Sequence, residues 1–140
     1  MNKVPESFID RKVCIIGLGY VGLTLSAVMA EVGFEVCGVE KDINKLSSIK
    51  NGSAHFHEPR LNEILKKQLK SGNFYTFQKI PENVDSNVFI LTVGTPLDLC
   101  GKVRLDMVHD AIDQISQINY KDKLIIMRST LKLGTTRKIS

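Results

Sequence analysis

Three glycines, Gly17, Gly19 and Gly22, break an apolar run at a spacing that few backbone paths satisfy. Val13 to Ile16 reads as a strand, and Leu23 to Val32 resumes in a helix-like pattern. Between them, Gly17-Leu18-Gly19-Tyr20-Val21-Gly22 fits G-x-G-x-x-G, and the demands behind that spacing are geometric. The first glycine permits a tight turn out of the strand, the second lets backbone approach a pyrophosphate, and the third lets the helix pack closely on the sheet. The helix then points its unpaired N–H groups and positive dipole end at the phosphates.

The context the motif needs is also present. An apolar strand precedes it, an amphipathic helix follows, and a second strand, Glu35 to Val39, leads into the acid Glu40, 18 residues beyond Gly22. At about that interval, roughly 20 residues, a carboxylate accepts hydrogen bonds from both hydroxyls of an adenosine ribose. The same charge repels a 2′-phosphate, which favours NAD over NADP. Lys41 and Lys45 pull the other way, because either ammonium can neutralise such a phosphate.

Along the chain, short apolar runs alternate with helical spacing, the pattern of parallel strands joined by crossover helices. The first strand is expected over 12–16 and a helix over 20–32, with Val21, Leu25, Val28 and Val32 as its inward face and Gly33 as its left-handed stop. Asp42 is expected to cap a short helix carrying Ile43, Leu46 and Ile49, ended by Asn51-Gly52. Pro59 suits the first position of another helix, striped by Leu61, Ile64, Leu65 and Leu69. Further strands are expected over 73–77, 87–93 and 123–130, with a helix over 106–118 that buries Val108, Ile112 and Ile115 and leaves His109 in solvent. The whole reads as α/β: a Rossmann-type doubly wound parallel sheet over 11–140, incomplete at the C-terminus, behind a flexible tail over 1–10.

Composition narrows the function classes. The net charge is +4, yet the basic residues are scattered, so there is no basic stripe of the kind nucleic acid requires. No stretch approaches the roughly 18 apolar residues of a membrane span, and the start lacks the apolar core of a signal peptide, so a cytoplasmic protein is expected. Three cysteines without C-x-x-C spacing suggest neither disulfides nor zinc, and Cys14 and Cys37 read as small buried hydrophobes. His55 and His57 have no third ligand at metal-site spacing and read as polar loop residues; no metal site is expected.

Taken in order, "GLGYVG", "HEPRL", "VGTPLD" and "RSTLKLGTT" resemble the N-terminal domain of the UDP-glucose/GDP-mannose 6-dehydrogenase family over about residues 11 to 140. The resemblance implies oxidation of the C6 alcohol of a nucleotide sugar to a carboxylate in two NAD-dependent steps, within a homo-oligomer. It implies that Gly17, Gly19, Tyr20, Val21, Gly22, Glu40, Lys45, Thr95 and Ser129 contact the cofactor and that Thr130 helps hold the catalytic water near the reacting carbon. Hydroxyls ending parallel strands face the ligand crevice, and they equally serve as helix caps.

Departures from the family pattern are Arg60 where glycine is frequent, Arg128 before the Ser-Thr pair, and a proline-free "LKLGTT". The family's nucleophilic cysteine lies in a later motif, and none of Cys14, Cys37 and Cys100 matches it, so these 140 residues are expected to bind NAD without turning over. Two alternatives stay open: the cofactor domain of a hydroxyacyl or hydroxyacid dehydrogenase, and a noncatalytic NAD-sensing module.

Overall fold

The computed structural model describes residues 3–119 and 122–139. Five parallel strands, β1 (Lys12–Ile16), β2 (Glu35–Val39), β3 (Phe74–Phe77), β4 (Val88–Leu91) and β5 (Leu124–Met127), form one sheet in the order β3-β2-β1-β4-β5. The helices are α1 (Tyr20–Glu31), α2 (Ile43–Lys50), α3 (Leu61–Ser71), α4 (Asp106–Ser116) and α5 (Thr135–Ile139). This is the doubly wound arrangement expected from the alternating pattern, with the order reversing between β1 and β4.

Strands β1 to β4 lend side chains to two cores, one on each face of the sheet. Val13, Ile15, Val36, Phe74, Val88 and Ile90 pack beneath α1 and α3 with Leu23, Ala27, Leu61 and Leu65. On the opposite face, Cys14, Ile16, Cys37, Val39, Phe89 and Leu91 pack with Val108, Ala111 and Ile115 of α4. Burial on both faces is why β1 and β4 read as unbroken apolar runs. Each fully buried Ile, Leu or Phe here contributes about 1.5–3 kcal/mol. At the β5 edge, Leu124 and Ile126 remain 56% and 36% exposed, while Ile125 and Met127 lean on the α4-side core.

Three expectations from the pattern are corrected. The buried face of α1 is Gly22, Leu23, Ser26, Ala27 and Ala30, whereas Val21 and Val28 are 48% and 41% exposed. An almost wholly apolar helix carries little phase information, and its small residues, which let it lie close on the sheet, decide the face. Pro59 is not the first residue of α3. Arg60, at φ 65°, takes a left-handed turn at the N-cap position, and the helix begins at Leu61. Ile43, expected on the apolar side of α2, is exposed, leaving Leu46 and Ile49 as its buried anchors.

Other local signals hold. Gly33 turns left-handed behind α1, and Asp42 caps α2 by accepting from Asn44 N and Lys45 N at 2.9 and 3.2 Å. The strands over 87–93 and 123–130 are shorter than expected, and the first polar residue after each stays bonded to the neighbouring strand: Thr92 N donates to Ile16 O at 2.9 Å and Arg128 N to Leu91 O at 2.8 Å. The leading segment, expected as a tail, has Val4 N donating to Val32 O at 2.7 Å and Phe8 edge-on to Phe34; Met1 and Asn2 lie outside the described residues.

Candidate cofactor-binding site

The carboxyl ends of β1 and β4 meet where the strand order reverses, and the glycine loop sits at that point. Gly17 leaves β1 with φ +92°, its N–H donating to Val39 O at 2.8 Å. A Cβ there would lie 2.9 Å from Val93 N, so the turn is pressed against the end of β4. Gly22 is tighter still: a Cβ would fall 1.9 Å from Gly17 O and 2.5 Å from Thr92 Oγ1. Thr92 fastens the same turn, its hydroxyl lying 2.6 Å from Gly17 O and 3.1 Å from Ile16 O.

Gly19 differs from both. Its φ of −70° is open to any residue, and a Cβ on it would meet nothing within 4 Å. It is the N-cap of α1 but offers no side-chain cap, and the first turn carries no acidic residue. The N–H groups of Tyr20, Val21 and Gly22 therefore lack an i−4 carbonyl within the helix, next to the open space at Gly19 and at the positive end of the dipole. Such a space suits an anion, and a pyrophosphate meets that description.

Glu40 follows β2 beside this loop and is only 8% exposed. Its Oε2 accepts from Leu18 N at 3.0 Å and its Oε1 from Asp42 N at 2.9 Å. One carboxylate thus ties the glycine loop to the turn after β2, and each oxygen keeps a further lone pair for a hydroxyl. Lys45, partly buried on the first turn of α2, and His55 lie within electrostatic reach of each other, and His55 also senses Glu40 and Asp42. Partial burial and the Lys45 cation lower the His55 pKa from the ordinary histidine value, against the opposing pull of Glu40 and Asp42.

The expected residues on later strands form a second group. Ser129 Oγ donates to Val93 O at 2.7 Å, and Thr95 Oγ1 donates to Thr130 O at 2.8 Å. Val93 links the two groups, with Gly17 against its amide and Ser129 on its carbonyl. Thr95 and Ser129 are partly buried and Thr130 is exposed. The sequence reading passed over two members of the surroundings. Thr92 could have been flagged as the first polar residue after the apolar run of β4. Glu58, which accepts from the Tyr20 hydroxyl at 2.7 Å, lies in the "HEPRL" stretch that carries part of the family resemblance, but nothing in its spacing points to Tyr20. Among the described residues, no three His, Cys, Asp or Glu side chains gather as a metal site, and no helix is long and apolar enough to cross a membrane.

A doubly wound parallel sheet, an open glycine loop at its switch point and an acid closing the second strand define a dinucleotide-binding domain. Residues 11–140 match the NAD-binding domain of the UDP-glucose/GDP-mannose dehydrogenase family, and the chain belongs to that family. It is 37% identical over 142 residues to the UDP-N-acetyl-D-mannosamine dehydrogenase of Methanocaldococcus jannaschii, covering 99% of this chain and 33% of the relative. Among solved structures, it superposes on the UDP-D-ManNAc dehydrogenase of Pyrococcus horikoshii with TM-score 0.85 at 31% identity, covering 91% of this chain and 30% of that one. The GDP-mannose dehydrogenase of Pseudomonas aeruginosa, solved as a ternary complex, gives TM-score 0.84 at 26% identity, covering 91% and 30%. The chain spans a third or less of the length of these relatives, and 14% of another from Methanocaldococcus jannaschii. The residues present fit the cofactor: a Cβ on Gly19 would meet nothing within 4 Å, and the Glu40 carboxylate is tied to the adjacent Leu18 N–H.

Proposed function

We propose that this chain is the NAD-holding portion of a nucleotide-sugar dehydrogenase that oxidises the C6 alcohol of a UDP- or GDP-sugar to the carboxylate in two steps. The observation that carries the reading is the pairing of an open Gly19 with a Glu40 carboxylate tied to the neighbouring Leu18 N–H. Bound NAD would supply the hydride acceptor. The chain's own part is to bind and orient. Gly17 and Gly22 shape the turn, the N–H groups of Tyr20 and Val21 receive the pyrophosphate, and Glu40 accepts from the ribose hydroxyls while resisting a 2′-phosphate. Lys45 and His55 border the adenosine end. Thr95 and Ser129 are assigned to the cofactor's far side, and Thr130 to holding water near the reacting carbon.

Catalytic turnover by these 140 residues alone is not expected. Cys14 and Cys37 are fully buried, and the Cys14 thiol is pushed well above its ordinary value by the adjacent Cys37 side chain and by burial, the opposite of an activated nucleophile. Cys100 is exposed at a turn shaped by Asp98, which accepts from Cys100 N and Lys102 N at 2.8 Å. The sugar-binding surface and the nucleophile are assigned to the remainder of a longer enzyme, and its assembly as a homo-oligomer follows from the same resemblance.

Calorimetric titration with NAD, NADP and UDP-sugars tests the reading. NAD is expected to bind more tightly than NADP, and UDP-sugars weakly. A preference for NADP contradicts the role of Glu40, and tight UDP-sugar binding contradicts the placement of the substrate site elsewhere.

A further inference from the structure

The loop over 53–60, between α2 and α3, is fastened to the glycine loop through side chains. The Tyr20 hydroxyl donates to Glu58 Oε2 at 2.7 Å, and the Tyr20 and Phe56 rings meet at a centroid distance of 4.7 Å with planes tilted by 42°. Phe56 is partly buried against the core beneath α1 and holds His55 edge-on at 4.9 Å. Asn62 of α3 accepts from Ala54 N at 2.8 Å, which fixes the loop at its other side. His55 reaches Glu40, Asp42 and Lys45 electrostatically, so the loop runs from its bond to the first residue of α1 to the neighbourhood of the acid after β2.

Tyr20 is the first residue of α1, and its main chain belongs to the donor set that the helix leaves for a ligand. A side chain held at its tip by a hydrogen bond and on its ring by an aromatic contact keeps one rotamer, and restrains the backbone that carries it. We propose that Phe56 and Glu58 are positioning residues: acting through Tyr20, they latch the 53–60 loop to the glycine loop and pre-organise the α1 N–H donors for the pyrophosphate of a dinucleotide. The inference rests on the NAD reading above. Both groups lie outside the glycine motif, and their effect is on the shape of the donor set rather than on direct contact with the reacting atoms.

The test is calorimetric titration of the 140-residue chain with NAD, ADP and adenosine, using Tyr20→Phe, Glu58→Ala, Glu58→Gln and the Tyr20→Phe/Glu58→Ala double variant. Each of Tyr20→Phe and Glu58→Ala is expected to weaken NAD and ADP by about 3- to 10-fold, the scale of ordering one or two side chains on binding. The double variant is expected to be no weaker than the worse single one, because the two substitutions remove one contact. Glu58→Gln, whose amide oxygen still accepts from the hydroxyl, is expected to stay within about 2-fold of the wild type. Adenosine, which lacks the pyrophosphate, is expected to bind all of them alike. Unchanged NAD affinity in Glu58→Ala, additive losses in the double variant, or an equal loss for adenosine would overturn the latch while leaving the NAD reading intact. Failure of the wild-type chain to bind NAD and ADP would remove both.

Discussion

Glu40 Oε2 accepts a hydrogen bond from Leu18 N at 3.0 Å, joining the end of the second strand to the middle of the glycine loop. The acid is therefore a structural tie, and the ribose contact proposed for it would employ different lone pairs of the same carboxylate. Replacing it has two separable consequences.

Glu40→Ala is expected to leave Leu18 N and Asp42 N without their acceptor and to cost about 1.5–3 kcal/mol, the range for hydrogen bonds to a charged group. Urea denaturation reads that loss. In parallel, the ratio of NADP to NAD affinity is expected to rise, because the repulsion of a 2′-phosphate is gone while Lys45 remains; an unchanged ratio would remove Glu40 from cofactor choice.

Gly22→Ala is expected to destabilise the domain by about 3 kcal/mol or more, since its Cβ would overlap Gly17 O at 1.9 Å in a backbone-against-backbone contact. A thermal melt indistinguishable from wild type would show that α1 can shift away from the turn.

Thr92→Val keeps the shape of the side chain and removes the proton shared between Gly17 O and Ile16 O. A loss of about 1 kcal/mol is expected in chemical denaturation. No loss would mean that the hydroxyl does not help hold the glycine turn.

Asp42 is held below its ordinary carboxylate value by the Lys45 and Asn44 N–H groups it caps. A depressed carboxylate stabilises the fold above its unfolded value of 3.8 and loses that contribution as pH falls through its lower folded value. The difference in melting temperature between wild type and Asp42→Ala is therefore expected to be largest at neutral pH and to close below pH ~4. A difference that persists in acid would show that the cap acts without its charge.

The order of elements was legible because each one carries a local signal. β4 is continuously apolar, Asp42 is a good cap, and Gly33 fits a left-handed stop. The G-x-G-x-x-G spacing likewise placed the turn at the switch point, and Glu40 follows β2 beside that turn. What escaped was decided by tertiary contact. The inward face of α1 is set by Gly22, Ser26, Ala27 and Ala30 because the sheet comes close there, and an apolar count cannot distinguish them from Val21 and Val28. The start of α3 moved to Leu61 because Arg60 adopts φ 65°, a conformation that the residue type does not announce. The Tyr20 bond to Glu58 spans 38 residues, beyond any periodicity.

The most direct test of the cofactor cradle is calorimetric titration of NAD into the wild-type chain and into Gly19→Val, with circular dichroism melts of both. At φ −70°, and with nothing within 4 Å of its Cβ, position 19 accepts a Cβ without internal overlap, so a folded variant with a cooperative melt is expected, lowered at most by the poorer helix cap. The added methyl groups would fill the space assigned to the pyrophosphate, so NAD binding is expected in the wild type and lost in the variant. Equal NAD affinity in the two folded proteins would contradict the cradle.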